Sequence, residues 1–176
     1  MIDLTPKTLK KIEFTVPGEP NQKRSPSNMR FKKKDGSEIW RPVKNKQNTP
    51  VEGNIQQWYM HAVGDVERPH EGPVALRVRC YFEIRVADKN SWRGPLYETE
   101  QIYHTSKPDL DRLSNMVQDA LTGVAWKDDC QIALAPGSGK WYSPRPRTEV
   151  TIWLLALQVP ATQKEYKALL AAEVTA

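Results

Sequence analysis

Val74 to Val86 alternates in polarity without a break: Val74, Leu76, Val78, Cys80, Phe82, Ile84 and Val86 fall on one side, and Ala75, Arg77, Arg79, Tyr81, Glu83 and Arg85 on the other. A period of two over that length specifies a strand with one face in a core and the other wet or against a partner. A strand needs neighbours, and the chain offers them. Lys11 to Val16 sets Ile12, Phe14 and Val16 on one side before the turn Pro17-Gly18-Glu19-Pro20. Gln131 to Leu134 and Lys140 to Tyr142 read as short strands, and Glu149 to Leu157, rich in Val, Ile and Trp, as a longer one. Helices lie between them. Thr49-Pro50-Val51-Glu52 is a capping box with Pro at the first helical position, followed by Ile55, Trp58, Tyr59, Ala62 and Val66 at helical spacing toward the core. Leu110, Leu113, Val117, Ala120 and Leu121 mark a second helix ending near Gly123, and Thr162 to Glu165 opens a last one running to Ala172. Asp88 to Ser106, with little periodicity, is a long loop of the kind that carries function. Strands and helices mix without βαβ alternation. The expected fold is α+β, a single domain with a mixed sheet flanked by helices over residues 11–157, a tail at 1–10 and a C-terminal helix within 158–176.

Composition narrows the function classes. With 39% hydrophobic residues and six Trp in 176 residues, the chain fills one core without a structural metal. Cys80 and Cys130 are far apart and form no CxxC pair, which argues against a disulfide scaffold and a zinc site and for a reducing cytoplasm. The longest apolar run, Ile152 to Leu157, is far shorter than the roughly 20 residues that span a bilayer, and the N-terminus lacks a signal-peptide core. Membrane and secreted roles drop out. The net charge of +5 favours a polyanionic partner. Much of the excess sits in Lys23 to Lys46, where nine cations face two acids, Asp35 and Glu38. Met29, Phe31, Ile39 and Trp40 around Lys34-Asp35-Gly36-Ser37 make this stretch a basic hairpin. Lys23, Arg24, Arg30 and Lys32 to Lys34 are candidates for phosphate contacts, Arg77, Arg79 and Arg85 form a stripe on one strand face, and Trp92 in the long loop is the candidate to stack on an exposed base. Trp58 and Trp153 read as core.

Chemistry concentrates in Lys107 to Gln131, KPDLDRLSNMVQDALTGVAWKDDCQ. Asp109 and Asp111 stand at the start of the second helix, where the dipole favours negative charge, and Asp128 and Asp129 stand beyond its end. That helix is about 16 Å long, and the eight residues from Leu121 to Asp129 span up to about 26 Å when extended. The chain is therefore long enough to fold back and bring Asp129 beside Asp109 and Asp111. Carboxylates that converge need either protons or a hard cation to offset their repulsion; magnesium takes oxygen ligands and serves phosphodiester hydrolysis. Convergence of these side chains is what this reading requires. His61, His70 and His104 are scattered and read as surface or packing residues, and Asp119, mid-helix, as a cap for the turn near Gly123.

The same segment resembles the RusA family of Holliday junction resolvases, crossover junction endodeoxyribonucleases whose pattern runs K-P-D-x-D-N-L-x-K, then D-A-L, then W or V, D-D and Q-hydrophobic. Lys107, Pro108, Asp109, Asp111, Leu113, Asp119, Ala120, Leu121, Trp126, Asp128, Asp129, Gln131 and Ile132 match it, and Gly18-Glu19-Pro20 with Lys23 and Arg24 is similar to the family's early G-x-P turn. The resemblance implies catalytic metal ligands at Asp109, Asp111 and Asp129 with Asp128 beside them, a Mg2+ cofactor, four-way junction DNA as substrate cut to 5′-phosphate and 3′-hydroxyl ends, and a homodimer that cuts two strands. A cytoplasmic setting, in a phage- or prophage-bearing host among others, is consistent with it. Two positions depart from the pattern: Arg112 replaces the Asn, and Asn115 replaces the helix lysine four residues after the second aspartate. Lys107, Arg112, Lys127 and Lys140, with Lys23 and Arg24, are the cations expected to face DNA. The alternative motivated by Asn115 is a junction-binding protein with weakened or lost cleavage. A PD…(D/E)xK nuclease ranks low, because the only E-x-K, Glu165-Tyr166-Lys167, lies far downstream.

Overall fold

The computed structural model describes residues 7–65, 68–156, 162–164 and 167. Its elements run β1 (Thr8–Pro17), β2 (Ser27–Lys32), β3 (Glu38–Val43), α1 (Asn48–Val63), β4 (Val74–Glu83), α2 (Val86–Lys89), α3 (Gly94–Glu98), α4 (Leu110–Leu121), β5 (Ile132–Leu134), β6 (Gly139–Ser143) and β7 (Arg147–Leu155). The main sheet has the order β1-β7-β4-β5, with β6 beside β5 on the same edge of β4. β1 and β4 flank β7 antiparallel, whereas β5 and β6 pair with β4 in parallel, so the sheet is mixed and the fold is α+β. β2 and β3 form a separate two-stranded sheet. No helix among the described residues is long and apolar enough to cross a membrane.

Alternation builds the core. Ile12, Phe14 and Val16 of β1, Val74, Leu76, Val78, Cys80 and Phe82 of β4, and Val150, Ile152 and Leu154 of β7 bury one sheet face under α1 and α4. Ile55 and Tyr59 come from α1, and Leu113, Met116, Val117, Ala120 and Leu121 from α4. The Phe14 and Tyr59 rings meet edge to face, 6.1 Å between centroids.

Several details differ from expectation. Trp58 and Ala62 are exposed, because α1 starts at Asn48 and buries the ridge Asn48, Glu52, Ile55, Tyr59; a residue one step from Tyr59 sits about 100° around the helix. Val66 lies outside the described residues, as does most of the expected C-terminal helix. The strand expected to reach Val86 stops at Glu83, and Val86 begins α2 with its side chain 72% exposed. The second face of β4 is not simply wet. Tyr81 is buried there, stacked on Trp141 at 5.6 Å with the Arg147 guanidinium 3.8 Å from its ring, and Arg77 lies 5.2 Å over Trp153, which belongs to this outer face and not to the core. The long loop holds α2 and α3, and it is tied to the sheet. Tyr97 packs edge-on against Tyr142 at 5.1 Å, and Glu100 binds Arg147 through two hydrogen bonds of 2.9 Å each. Trp92 projects from it, 77% exposed.

Candidate active site

Asp109 is the residue before α4, with an extended backbone and no hydrogen bond from its side chain to the helix end; Asp111 lies in the first turn. Both are exposed, and Asn115, one turn after Asp111, shares the exposed side of α4. Lys140 fixes the chain that leads into this pair. From β6 its ammonium donates to the carbonyls of Ser106 and Pro108, 2.7 Å each. That makes Lys140 a brace for the aspartate turn, whereas the sequence had set it among the DNA-facing cations. Next to it, His104 stacks on Phe82 at 4.2 Å, and burial first, then Lys140, pushes its pKa below the ordinary value. His70 also serves packing, its ring 3.1 Å from the Leu155 carbonyl.

The second pair of aspartates does not come back to the first. After α4 the chain turns tightly: Val124 and Ala125 donate to the Leu121 carbonyl, and Gly123, at φ 77°, donates to the Trp126 carbonyl. Trp126 is fully buried at the end of α4, its indole N–H 3.3 Å from Thr122 Oγ1. Its backbone bridges His70, which leads the chain toward the start of β4. Asp128 then caps a 3-10 turn. Its carboxylate accepts from the Cys130 N–H at 3.0 Å, and its own N–H donates to Gln131 Oε1 at 2.8 Å, a reciprocal capping box. The hydrogen bond from Cys130 holds the Asp128 pKa below the usual carboxylate value. Gln131 Nε2 bridges the carbonyls of His70 and Gly72 at 2.9 and 2.7 Å. The D-D-x-Q motif therefore locks a turn onto the segment that leads into β4, with Asp128 Oδ1 accepting within that turn.

Asp129 points elsewhere, into an open cavity of about 530 Å³ between the β2–β3 base and the C-terminal end of α4, lined also by Lys23, Arg24, Lys44, Asn45 and Asp119. Asp119 is not the expected cap for the Gly123 turn; Lys23 Nζ holds it at 2.6 Å. Lys23 is thus an ion-pair partner within the chain. Arg24 is fixed by its backbone, since buried Asn48 accepts from its N–H at 3.0 Å and donates to its carbonyl at 3.1 Å; its side chain stays exposed at the cavity. Lys107 and Arg112 are exposed near Asp109, and Lys127 lies 3.5 Å from Glu71 with both side chains in solvent. Asn45 and Asn48 carry no signal in the sequence, and Lys44 only as one cation of the basic stretch; their part depends on α1 starting behind the hairpin.

Asp109 and Asp129 stand at opposite ends of a helix about 18 Å long. Among the described residues no three His, Cys, Asp or Glu side chains stand close enough to hold a metal ion, so the convergence expected within one chain is not found. Asp109 and Asp111 are hard oxygen donors of the kind that magnesium takes. The enclosed cavity beneath α4, lined by Val16, Ile55, Cys80 and Met116 among others, measures about 40 Å³, room for water and not for a nucleotide.

Comparison with known proteins agrees with the motif. The family model described as "Endodeoxyribonuclease RusA" matches residues 17–153. A Bacillus subtilis (strain 168) protein bearing the name "Uncharacterized protein YqaN" is 32% identical over 145 residues, which cover 80% of this chain and 94% of the relative.

Proposed function

The chain belongs to the RusA family of endodeoxyribonucleases, and from that premise we propose that it is a homodimer that resolves four-way DNA junctions by magnesium-dependent hydrolysis of two strands. The observation that carries the reading is the exposed Asp109–Asp111 pair at the start of α4, which follows the turn braced by Lys140 and forms no ion pair among the described residues. Two acids left open to solvent beside Lys107 and Arg112 suit a site that takes a cation and a phosphate together. The missing third donor has a simple source. A junction has near two-fold symmetry, and a two-fold dimer that sets α4 of one copy against the cavity of the other brings Asp129 of the second to Asp109 and Asp111 of the first, twice. Magnesium there supplies charge neutralisation and a more acidic water. The chain's own part is to orient Asp109 and Asp111, to present Asp129 from the partner copy, and to hold the DNA backbone with Arg24, Arg112 and Lys107.

A nicking assay on a synthetic four-way junction with magnesium tests this. Paired nicks are expected, and Asp111→Asn abolishes them while binding persists. Full activity of that variant would falsify the assignment. One observation favours a second reading: Asn115, exposed one turn from Asp111, leaves that face of α4 without the family's lysine. Tight junction binding with no cutting by the native chain would select a binding protein instead.

A further inference from the structure

The β2–β3 ribbon stands apart from the main sheet, and all six residues of β2 are exposed. An isolated hairpin is marginal in water. This one has an Arg30–Glu38 ion pair and a turn in which Lys33 N–H donates to the Ser37 carbonyl at 2.7 Å and Asp35 accepts from Ser37 N–H at 2.8 Å. Its register pairs Met29 with Arg41, Phe31 with Ile39 and Ser27 with Val43 on one face, and Arg30 with Trp40 and Lys32 with Glu38 on the other. Both faces thus show apolar side chains to solvent: Met29 is 51% exposed, Phe31 42% and Trp40 67%. Six cations, Arg30, Lys32, Lys33, Lys34, Arg41 and Lys44, face two acids over the same stretch.

Building on the endonuclease reading, we propose that this ribbon is an arm that enters the major groove of a duplex flanking the branch point. Charge decides the occupant: a second copy of this chain carries the same positive excess and would repel the ribbon, whereas duplex DNA is a dense polyanion. Shape agrees, because the major groove, about 12 Å wide, admits a two-stranded β-ribbon. Six residues per strand reach about 20 Å, enough to follow the groove for half a turn. The phosphates meet Lys32, Lys33 and Lys34, and the face that carries Met29, Phe31 and Ile39 meets base edges and thymine methyls. Pro26, Pro42 and Lys44 at the ribbon's base line the same cavity as Asp129, so the arm grips DNA alongside the acidic residues.

The test is binding without divalent cation, by gel shift and by salt titration, on junctions with arms of about 20 base pairs and of about 5. One variant replaces residues 29–41 with Asn-Gly, joining the cross-strand neighbours Asn28 and Pro42; a second, Phe31→Ser with Trp40→Ser, keeps every charge. Circular dichroism verifies that both fold. The native chain is expected to prefer long arms at least tenfold, the ribbon-less variant less than twofold, and its salt slope is expected to fall by about 3. The double-serine variant is expected to keep the slope and lose part of the preference. An unchanged arm-length preference without the ribbon overturns the proposal. So does a ribbon-less chain that loses self-association while each dimer binds DNA as before, which would make the ribbon a contact between copies. A native chain that binds and never nicks defeats the endonuclease reading, and the arm is then judged on arm length alone.

Discussion

The Lys140 ammonium donates to the Pro108 carbonyl at 2.7 Å, one residue before Asp109, and to the Ser106 carbonyl at the same distance. A charged donor shared by two carbonyls that no helix or strand satisfies contributes about 2 kcal/mol and leaves the aspartate turn one conformation. Lys140→Met is expected to lower the melting temperature by about 4–8 °C and to slow junction nicking more than tenfold with little change in junction affinity. Lys140→Arg, which keeps the charge, is expected to recover part of the rate. Calorimetry and single-turnover nicking check both; a rate unchanged in Lys140→Met would make the residue a brace for stability alone.

Glu100 offers a pH test of the loop that precedes this turn. Hydrogen bonds from Arg147 first, and then from the Ser143 hydroxyl, hold its carboxyl at about 2 against an ordinary value of 4.5. A carboxylate depressed by folding contributes stability above its unfolded pKa and loses it as pH falls through the folded one. The contribution is therefore whole above about pH 4.5 and is lost between there and about pH 2. Glu100→Gln should be less stable than the native chain at pH 7, by about 1 kcal/mol once solvent screening of a quarter-exposed pair is allowed for, and the two should converge as pH falls to about 2. A difference between the two that does not change across that range would show that the ionisation of Glu100 adds nothing to folding.

How far the residues announce this structure depends on how local each rule is. The alternation in β4, the Lys34-Asp35-Gly36-Ser37 hairpin tip and the amphipathic stripe of α4 are set by neighbours two to four residues apart, and each appears where its spacing requires. Trp58 misled because α1 carries apolar residues on more than one side; which side is buried follows from the angle at which α1 crosses β1 and α4, a tertiary fact. The path from Leu121 to Asp129 misled for a different reason. Chain length sets how far a segment can reach, not where it goes, and the direction came from burying Trp126 and from the His70 and Gly72 carbonyls that Gln131 holds just ahead of β4. Among the described residues no three of the aspartates implied by the family motif come together, because that same direction carries Asp129 away from Asp109 and Asp111.

Trp126 thus carries a structural prediction of its own. Its ring is fully buried and its N–H is satisfied by Thr122. Trp126→Ala removes a large side chain from a site that cannot collapse without moving α4, and is expected to cost about 3–5 kcal/mol. Trp126→Phe keeps most of the volume and loses the hydrogen bond, for about 1 kcal/mol. Urea unfolding measures both; a loss under 1 kcal/mol for the alanine variant would mean that the turn is not anchored by this ring.

The separation of Asp111 from Asp129 along α4 makes the sharpest test of the dimer. If each site takes Asp109 and Asp111 from one copy and Asp129 from the other, Asp111→Asn and Asp129→Asn are both inactive alone but complement when mixed. In a mixed dimer one site carries both substitutions and the other carries neither. Random exchange makes about half the dimers mixed, so about a quarter of all sites recover. The recovered activity should appear as single nicks and not as paired cuts, because each mixed dimer owns one working site. Were all ligands contributed by one chain, every site in the mixture would lack an aspartate and no nicks would form. Refolding the two variants together and assaying on a four-way junction separates these outcomes, with the same mixture made from two Asp111→Asn preparations as the silent control.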